Sequence, residues 1–82
     1  MFMDQTAKPP KRWEDRARLF LKAEIKRADI TYEELARRLE EHGFKENGAS
    51  IANKLARGTF SATFFLACAA ALGIAAITLA EL

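Results

Sequence analysis

Two stretches of this 82-residue chain decide its fold: ITYEELARRL at residues 30–39 and SIANKLARG at residues 50–58. In the first stretch, Thr31 has the side chain of a helix N-cap, and Glu34 follows three residues later, where it would close a capping box. The second stretch has the spacing of a short helix that stops at Gly58. The two stretches therefore predict two consecutive short helices.

Apolar residues recur at helical spacing over most of the remaining chain, while residues 1–12 are polar and contain Pro9-Pro10. We therefore predict a flexible basic arm at residues 1–12 and one domain at residues 13–82. Trp13 is expected to anchor one end of the core. The fourth helix is apolar nearly all round, which predicts burial on every side. The predicted helices are 13–28, 31–42 (ended by Gly43), 48–56 (capped by Asn47), 61–72 (capped by Ser61) and 77–82.

The charge balance is too small to indicate a nucleic-acid partner by itself. Thirteen Lys and Arg against eleven Asp and Glu give a net charge of +2. The distribution is more informative, because residues 1–30 hold eight basic and five acidic side chains, whereas residues 58–82 hold only Glu81. Positive charge is thus concentrated toward the N-terminal arm and the first helix.

The sequence offers no residues for a metal site or for catalysis. Cys68 is the only cysteine and His42 the only histidine, so neither a disulfide nor a zinc cluster is expected. Cys68 lies among alanines, which favours an inert core thiol over a nucleophile. We therefore expect a cytoplasmic protein that is not an enzyme and needs no cofactor.

Residues 58–80 contain no charged side chain, and this run exceeds the ~20 residues that can cross a bilayer. Ser61 and Gly73 divide it, as a helix cap and a helix stop respectively. We therefore expect two consecutive packed segments and no membrane span.

Helical geometry separates the two faces of the third predicted helix. Ile51, Ala52 and Leu55 point inward, which leaves Ser50, Asn53, Lys54 and Arg57 on the outer side. A short helix that presents Asn, Lys and Arg, and follows another short helix, is what a helix-turn-helix places in the DNA major groove.

The ordered motifs resemble those of the lambda-repressor-like, or Cro/cI, helix-turn-helix domains of bacterial and phage regulators. The resemblance rests on residues 31–36, 50–58, Ser61 and Ala71-Leu72-Gly73-Ile74. Residues 54–61, KLARGTFS, further resemble a small bacterial subfamily of unassigned function. The resemblance implies an all-α, compact four- to five-helix lambda-repressor-like helix-turn-helix bundle that regulates transcription. The connection between its second and third helices is about five residues longer than that family's tight turn.

The same resemblance implies which residues would contact duplex DNA. Tyr32 would contact a phosphate, whereas Asn47, Ser50 and Asn53 would face the groove. Lys54 and Arg57 would bind phosphate or a guanine edge. A homodimer is expected, because one such module makes few contacts.

Two other functions stay open. Five acidic residues lie between Glu33 and Glu46, which favours a protein-interaction adaptor or antitoxin-like module on the same scaffold. The uncharged C-terminal run also allows a membrane-anchored basic helix pair.

Overall fold

The structure is a computed structural model that describes residues 12–82, and within that range it is a bundle of four α-helices with no strand. The compact all-helical class is thereby confirmed, while the lambda-repressor-like assignment stays a prediction. The predicted arm lies outside the described residues except for Arg12, which precedes the first helix. The helices are α1 Trp13–Ala28, α2 Tyr32–Glu40, α3 Gly48–Arg57 and α4 Ala62–Ala71, followed by a 3₁₀ turn at Leu79–Glu81.

All four helices contribute to one apolar core, and α2 packs most extensively against α3. Among residues 12–82, no charged or polar residue is buried as a whole. Phe44, from the connection between α2 and α3, packs against this core with its ring edge-on to that of Phe64. The fully buried large side chains are Leu21, Leu35, Leu39, Ile51, Leu55, Phe64 and Cys68.

The predicted caps form at the starts of three helices. The side chains of Thr31, Asn47 and Ser61 accept hydrogen bonds from the backbone N–H three residues later, at 3.0, 2.8 and 3.0 Å. These bonds satisfy backbone donors that have no partner inside the helix. The predicted stops also hold, because Gly43, Gly58 and Gly73 all have positive φ, a conformation that glycine adopts at little cost.

The capping box predicted for α2 is wrong in its second half. The Glu34 carboxylate does not return to the Thr31 backbone. It accepts hydrogen bonds from the guanidinium groups of Arg37 at 2.8 and 2.9 Å and of Arg38 at 2.9 Å. The two charged donors, Arg37 first, lower the pKa of Glu34 to about 2. The Glu34 carboxylate thus binds two guanidinium groups in preference to the backbone N–H of Thr31.

Replacing Thr31 with alanine should lower the free energy of unfolding by about 1 kcal/mol. The substitution removes the acceptor for the Glu34 N–H and leaves that donor at the start of α2 unpaired. Urea denaturation followed by circular dichroism measures the change. Thr31→Ser keeps the hydroxyl and should retain most of the stability, whereas equal losses in both variants would mean that the methyl group matters and the cap does not.

Two large side chains expected in the core lie at the surface instead. Trp13 is 57% exposed, and the Arg16 guanidinium carbon lies 4.1 Å from the centroid of its ring. Leu66 is 61% exposed, so α4 is not buried on every side. The first and last helices of a small bundle have neighbours on one side only, so apolar character alone does not ensure burial.

The final helix predicted at residues 77–82 is reduced to one 3₁₀ turn. Thr78 precedes that turn but makes no side-chain cap bond. The segment is tied back to α1 by a hydrogen bond from the Arg16 Nε to the Leu82 carbonyl oxygen at 2.8 Å.

The uncharged run at residues 58–80 is divided where the sequence predicted. Ser61 caps α4 and Gly73 follows its end. Across residues 12–82, every helix is too short or too polar to cross a bilayer.

Candidate nucleic-acid interface

The outer face of α3 is formed by two small and two polar side chains. Ala49, Asn53, Ala56 and Arg57 are all exposed, and their spacing places them on one side of the helix. Asn53 and Arg57 lie one turn apart, as predicted. The flanking alanine methyls leave the helix surface low between them, so α3 can approach another molecule closely. We call these four residues the α3 face.

Lys54 is held by an internal ion pair. Its Nζ lies 2.7 Å from the Glu46 carboxylate and 5.1 Å from the centroid of the Phe64 ring. Glu46 also accepts a 2.6 Å hydrogen bond from the Ser50 hydroxyl, and its side chain is only 8% exposed. Residues 46, 50 and 54 therefore form one connected cluster, and the Glu46 charge is compensated within the fold.

The cluster controls the ionisation of Glu46. Burial raises the pKa of its carboxyl, but the hydrogen bonds from Lys54 and Ser50 outweigh that effect and leave the pKa below its usual value. A carboxyl with a lowered pKa stabilises the fold fully above its unfolded-state pKa of ~4.3. This stabilisation is lost as the pH falls through the lower folded-state pKa.

Glu46→Gln should therefore cost about 1–3 kcal/mol of stability at pH 7, because the charged partner of Lys54 disappears. Below pH 4 the wild type loses the same contribution, so the difference between the two proteins should shrink. Urea denaturation at pH 7 and pH 3 measures this convergence. Glu40→Gln removes an exposed carboxylate and is the matched control; an equal effect from both variants would contradict the assignment of Glu46.

Asn47 and Ser50 are engaged with each other at the start of α3. The Asn47 side chain accepts from the Ser50 N–H at 2.8 Å, and the Ser50 hydroxyl accepts from the Asn47 N–H at 2.9 Å. This is a complete capping box. Both side chains already have partners inside the protein, and a contact with DNA would share or replace them.

Tyr32 lies apart from the α3 face. It lines a groove with Leu19 and Ile30, at the junction of α1 and α2. The six predicted DNA contacts thus lie in three places. Tyr32 lies beside α1, and Asn47, Ser50 and Lys54 are bound to partners inside the protein. Asn53 and Arg57 are exposed on α3.

Acidic side chains lie beside the start of α3. A Cβ atom added to Gly48 would overlap the Glu33 carboxylate, which therefore occupies the space above the first turn of α3. Glu33 is not paired with Arg37, which lies one turn further along α2 and binds Glu34 instead. A carboxylate is favourable at this position because a helix N-terminus carries partial positive charge. Glu33, Glu40 and Glu46 share a shallow groove between α2 and α3 with Arg37.

Sequence reasoning missed Glu46 as the residue that engages Lys54. The i, i+4 spacing of helical pairs does not point to it, because Glu46 precedes the N-cap Asn47 and lies outside α3. Cys68 behaves as predicted: it is buried, and burial raises the pKa of its thiol to about 12, so the thiolate needed for nucleophilic chemistry does not form at neutral pH.

Comparison with known proteins identifies the family but not the activity. The chain matches neither a curated protein nor a solved structure. Residues 13–77 match the model of a family described as a domain of unknown function, DUF6471. That match begins at the first residue of α1 and covers all four helices. The chain therefore belongs to the DUF6471 family.

Proposed function

We propose that this domain binds duplex DNA through the α3 face, and acts as a homodimeric transcriptional regulator in the bacterial cytoplasm. The observation that carries the proposal is the composition of that face: Asn and Arg one turn apart, with alanines beside them and no carboxylate. Asparagine pairs with adenine and arginine with guanine in the major groove, where each has a bidentate geometry. Alanine allows the close approach that such contacts need.

The internal ion pair supports this proposal in a second way. Glu46 is the carboxylate nearest to the α3 face along the chain, and Lys54 and Ser50 hold it in a nearly buried position. This arrangement compensates the Glu46 charge within the fold, so that this carboxylate does not repel phosphates at the α3 face. In this arrangement Lys54 positions α3, and Arg57 makes the principal ionic contact with DNA.

Alanine substitutions at the two exposed residues, Asn53 and Arg57, should affect DNA binding in different ways. Selection from a random duplex pool supplies the site, and fluorescence anisotropy at two salt concentrations measures affinity. Arg57→Ala should weaken binding to specific and random duplexes alike, and should reduce the salt slope by about 1. Asn53→Ala should cost about 1–3 kcal/mol on the preferred site and little on random DNA. A homodimer should select an inverted repeat with half-sites about 10 base pairs apart.

Lys26→Ala is the control, because it removes the same charge from an exposed position on α1. If it weakens DNA binding as much as Arg57→Ala, the α3 face is not the contact surface. If no sequence is enriched and Arg57→Ala keeps wild-type affinity, DNA recognition by α3 is wrong.

A specific observation favours a second candidate, a protein-interaction module. The groove between α2 and α3 is lined by Glu33, Glu40 and Glu46, and Arg37 is already bound to Glu34. Such a groove suits a basic peptide and repels phosphate. Glu33→Gln with Glu40→Gln distinguishes the two functions: the double variant should bind DNA more tightly if α3 lies on DNA, and should lose a basic partner if the groove is the binding site.

A further inference from the structure

A second surface, beside α1 and the start of α2, has no part in the proposed DNA contact. An open groove of about 510 Å³ runs between α1 and the start of α2. Its lining is largely apolar and includes Leu19, Ala23 and Ile25 from α1, with Ile30 and Tyr32 beyond the end of that helix. Leu19 is 36% exposed on this surface. We call it the α1 groove.

Two lysines stand on the rim of the α1 groove. Lys22 and Lys26 are exposed and lie one helical turn apart, and within residues 12–82 their ammonium groups form no ion pair or hydrogen bond. None of the described residues that line the groove is acidic. This surface therefore combines apolar contact area with uncompensated positive charge.

The other cations of α1 are engaged. Arg18 pairs with Asp15 at 3.1 Å, Arg27 pairs with Glu24 at 3.6 Å, and Arg16 donates to the Leu82 carbonyl oxygen. The lack of partners is thus confined, along Trp13–Ala28, to the two lysines beside the groove. Local pairing accounts for the arginines, and it leaves Lys22 and Lys26 available to an external ligand.

We propose that the α1 groove binds an acidic amphipathic segment of a partner protein. A helical peptide with apolar side chains at i, i+3, i+4 and i+7 would fill the apolar lining. Glutamates beside that stripe, one turn apart, would match the ~6 Å spacing of Lys22 and Lys26. A phosphodiester backbone offers charge but no apolar groups for this lining, so the groove suits a peptide better than a nucleic acid.

The proposal also assigns Tyr32 a role in binding the partner. The family resemblance assigns Tyr32 to a DNA phosphate, whereas the structure makes it a wall of the α1 groove. Its ring would contact the apolar stripe of the partner. This inference is independent of the proposed DNA binding, because no residue of the α3 face lines the α1 groove.

The test uses the full chain, labelled with ¹⁵N, and a helical peptide of about 15 residues with a leucine stripe flanked by glutamates. We expect the peptide to shift the amide resonances of residues 19–32. Lys22→Glu combined with Lys26→Glu should weaken binding about tenfold, and Leu19→Gln should weaken it without changing its salt dependence. Lys45→Glu is the control, because it reverses an exposed charge outside the α1 groove and should leave the affinity unchanged.

Several outcomes overturn the proposal. The proposal is wrong if the peptide does not bind at millimolar concentration, or if a peptide whose glutamates are replaced with lysines binds equally well. It is also wrong if the amide resonances that shift lie outside residues 19–32. If the same amides shift with protein concentration alone, the occupant is a second copy of this chain. If duplex DNA shifts them, and Lys22→Glu with Lys26→Glu abolishes that effect, the groove belongs to a nucleic-acid surface. If Lys22→Glu with Lys26→Glu abolishes peptide binding but leaves DNA binding through Arg57 intact, the α1 groove and the α3 face act separately.

Discussion

Replacing Phe64 with alanine is expected to lower the free energy of unfolding by about 3–5 kcal/mol. Phe64 is 2% exposed, and its ring lies 5.6 Å from that of Phe60 and 6.1 Å from that of Phe44. The Lys54 ammonium group also lies over the ring. Truncation would leave a cavity beneath α3 and remove the surface on which the Glu46–Lys54 pair rests. A domain of this size has a total stability of about 4–12 kcal/mol, so the variant should be close to unfolding.

Leu66→Ala is the matched control for that experiment. It removes a large apolar side chain from the same helix, but Leu66 is exposed and its loss should change stability by about 0.5 kcal/mol or less. Urea denaturation of both variants, with Phe64→Leu as a milder core change that stays measurable, gives the comparison. Similar losses for Phe64→Ala and Leu66→Ala would mean that α4 is covered on both sides, as its composition alone suggested.

The helix boundaries were predictable because they depend on local chemistry. A side-chain oxygen placed three residues before an unpaired N–H forms the same bond in almost any context, so Thr31, Asn47 and Ser61 could be assigned from sequence. Glycine at a helix end is equally local, as Gly43 and Gly73 show. The prediction of an all-helical bundle follows from these signals together with the apolar periodicity between them.

Exposure was harder to predict because it depends on neighbours that are distant in sequence. Leu66 and Phe64 are both strongly apolar, and only the packing of α4 on the other helices decides which of them is buried. Trp13 was assigned to the core for its size, yet α1 turns it outward. The predicted final helix is likewise only a 3₁₀ turn at Leu79–Glu81, an outcome that the apolar composition of this segment did not indicate.

The candidate site was predicted at the level of a helix face but not of individual partners. Spacing placed Asn53 and Arg57 on the outer side of α3, and the structure leaves both exposed. It did not reveal that Lys54 is paired with Glu46, because the pair spans eight residues across a helix start. Which donors bind an acceptor such as the Glu34 carboxylate depends on three-dimensional geometry, and a linear sequence pattern does not contain that geometry.

Substitutions at two nearby residues of α3, Leu55 and Asn53, should separate most clearly an effect on stability from an effect on DNA recognition. Leu55→Ala should cost about 2–5 kcal/mol, because Leu55 is 2% exposed and α3 would lose its anchor against α1 and α2. Asn53→Ala removes an exposed side chain and replaces it with a better helix former, so stability should be unchanged or slightly higher. Thermal and urea denaturation of the two variants under identical conditions measures the contrast.

The same pair tests whether the α3 face is assigned correctly. If both variants melt at the same temperature, the inner and outer faces of α3 are reversed, and the proposed DNA contact is wrong with them. If Leu55→Ala melts early and Asn53→Ala stays fully folded, any loss of DNA preference in Asn53→Ala reflects a lost contact, because the scaffold that presents it is intact. Leu55→Val serves as the intermediate variant: it leaves a smaller cavity, so its stability should fall between the other two, and it should remain folded enough to show wild-type DNA preference. An Asn53→Ala protein that is stable and also keeps wild-type preference on the selected site would leave α3 without a base-reading residue.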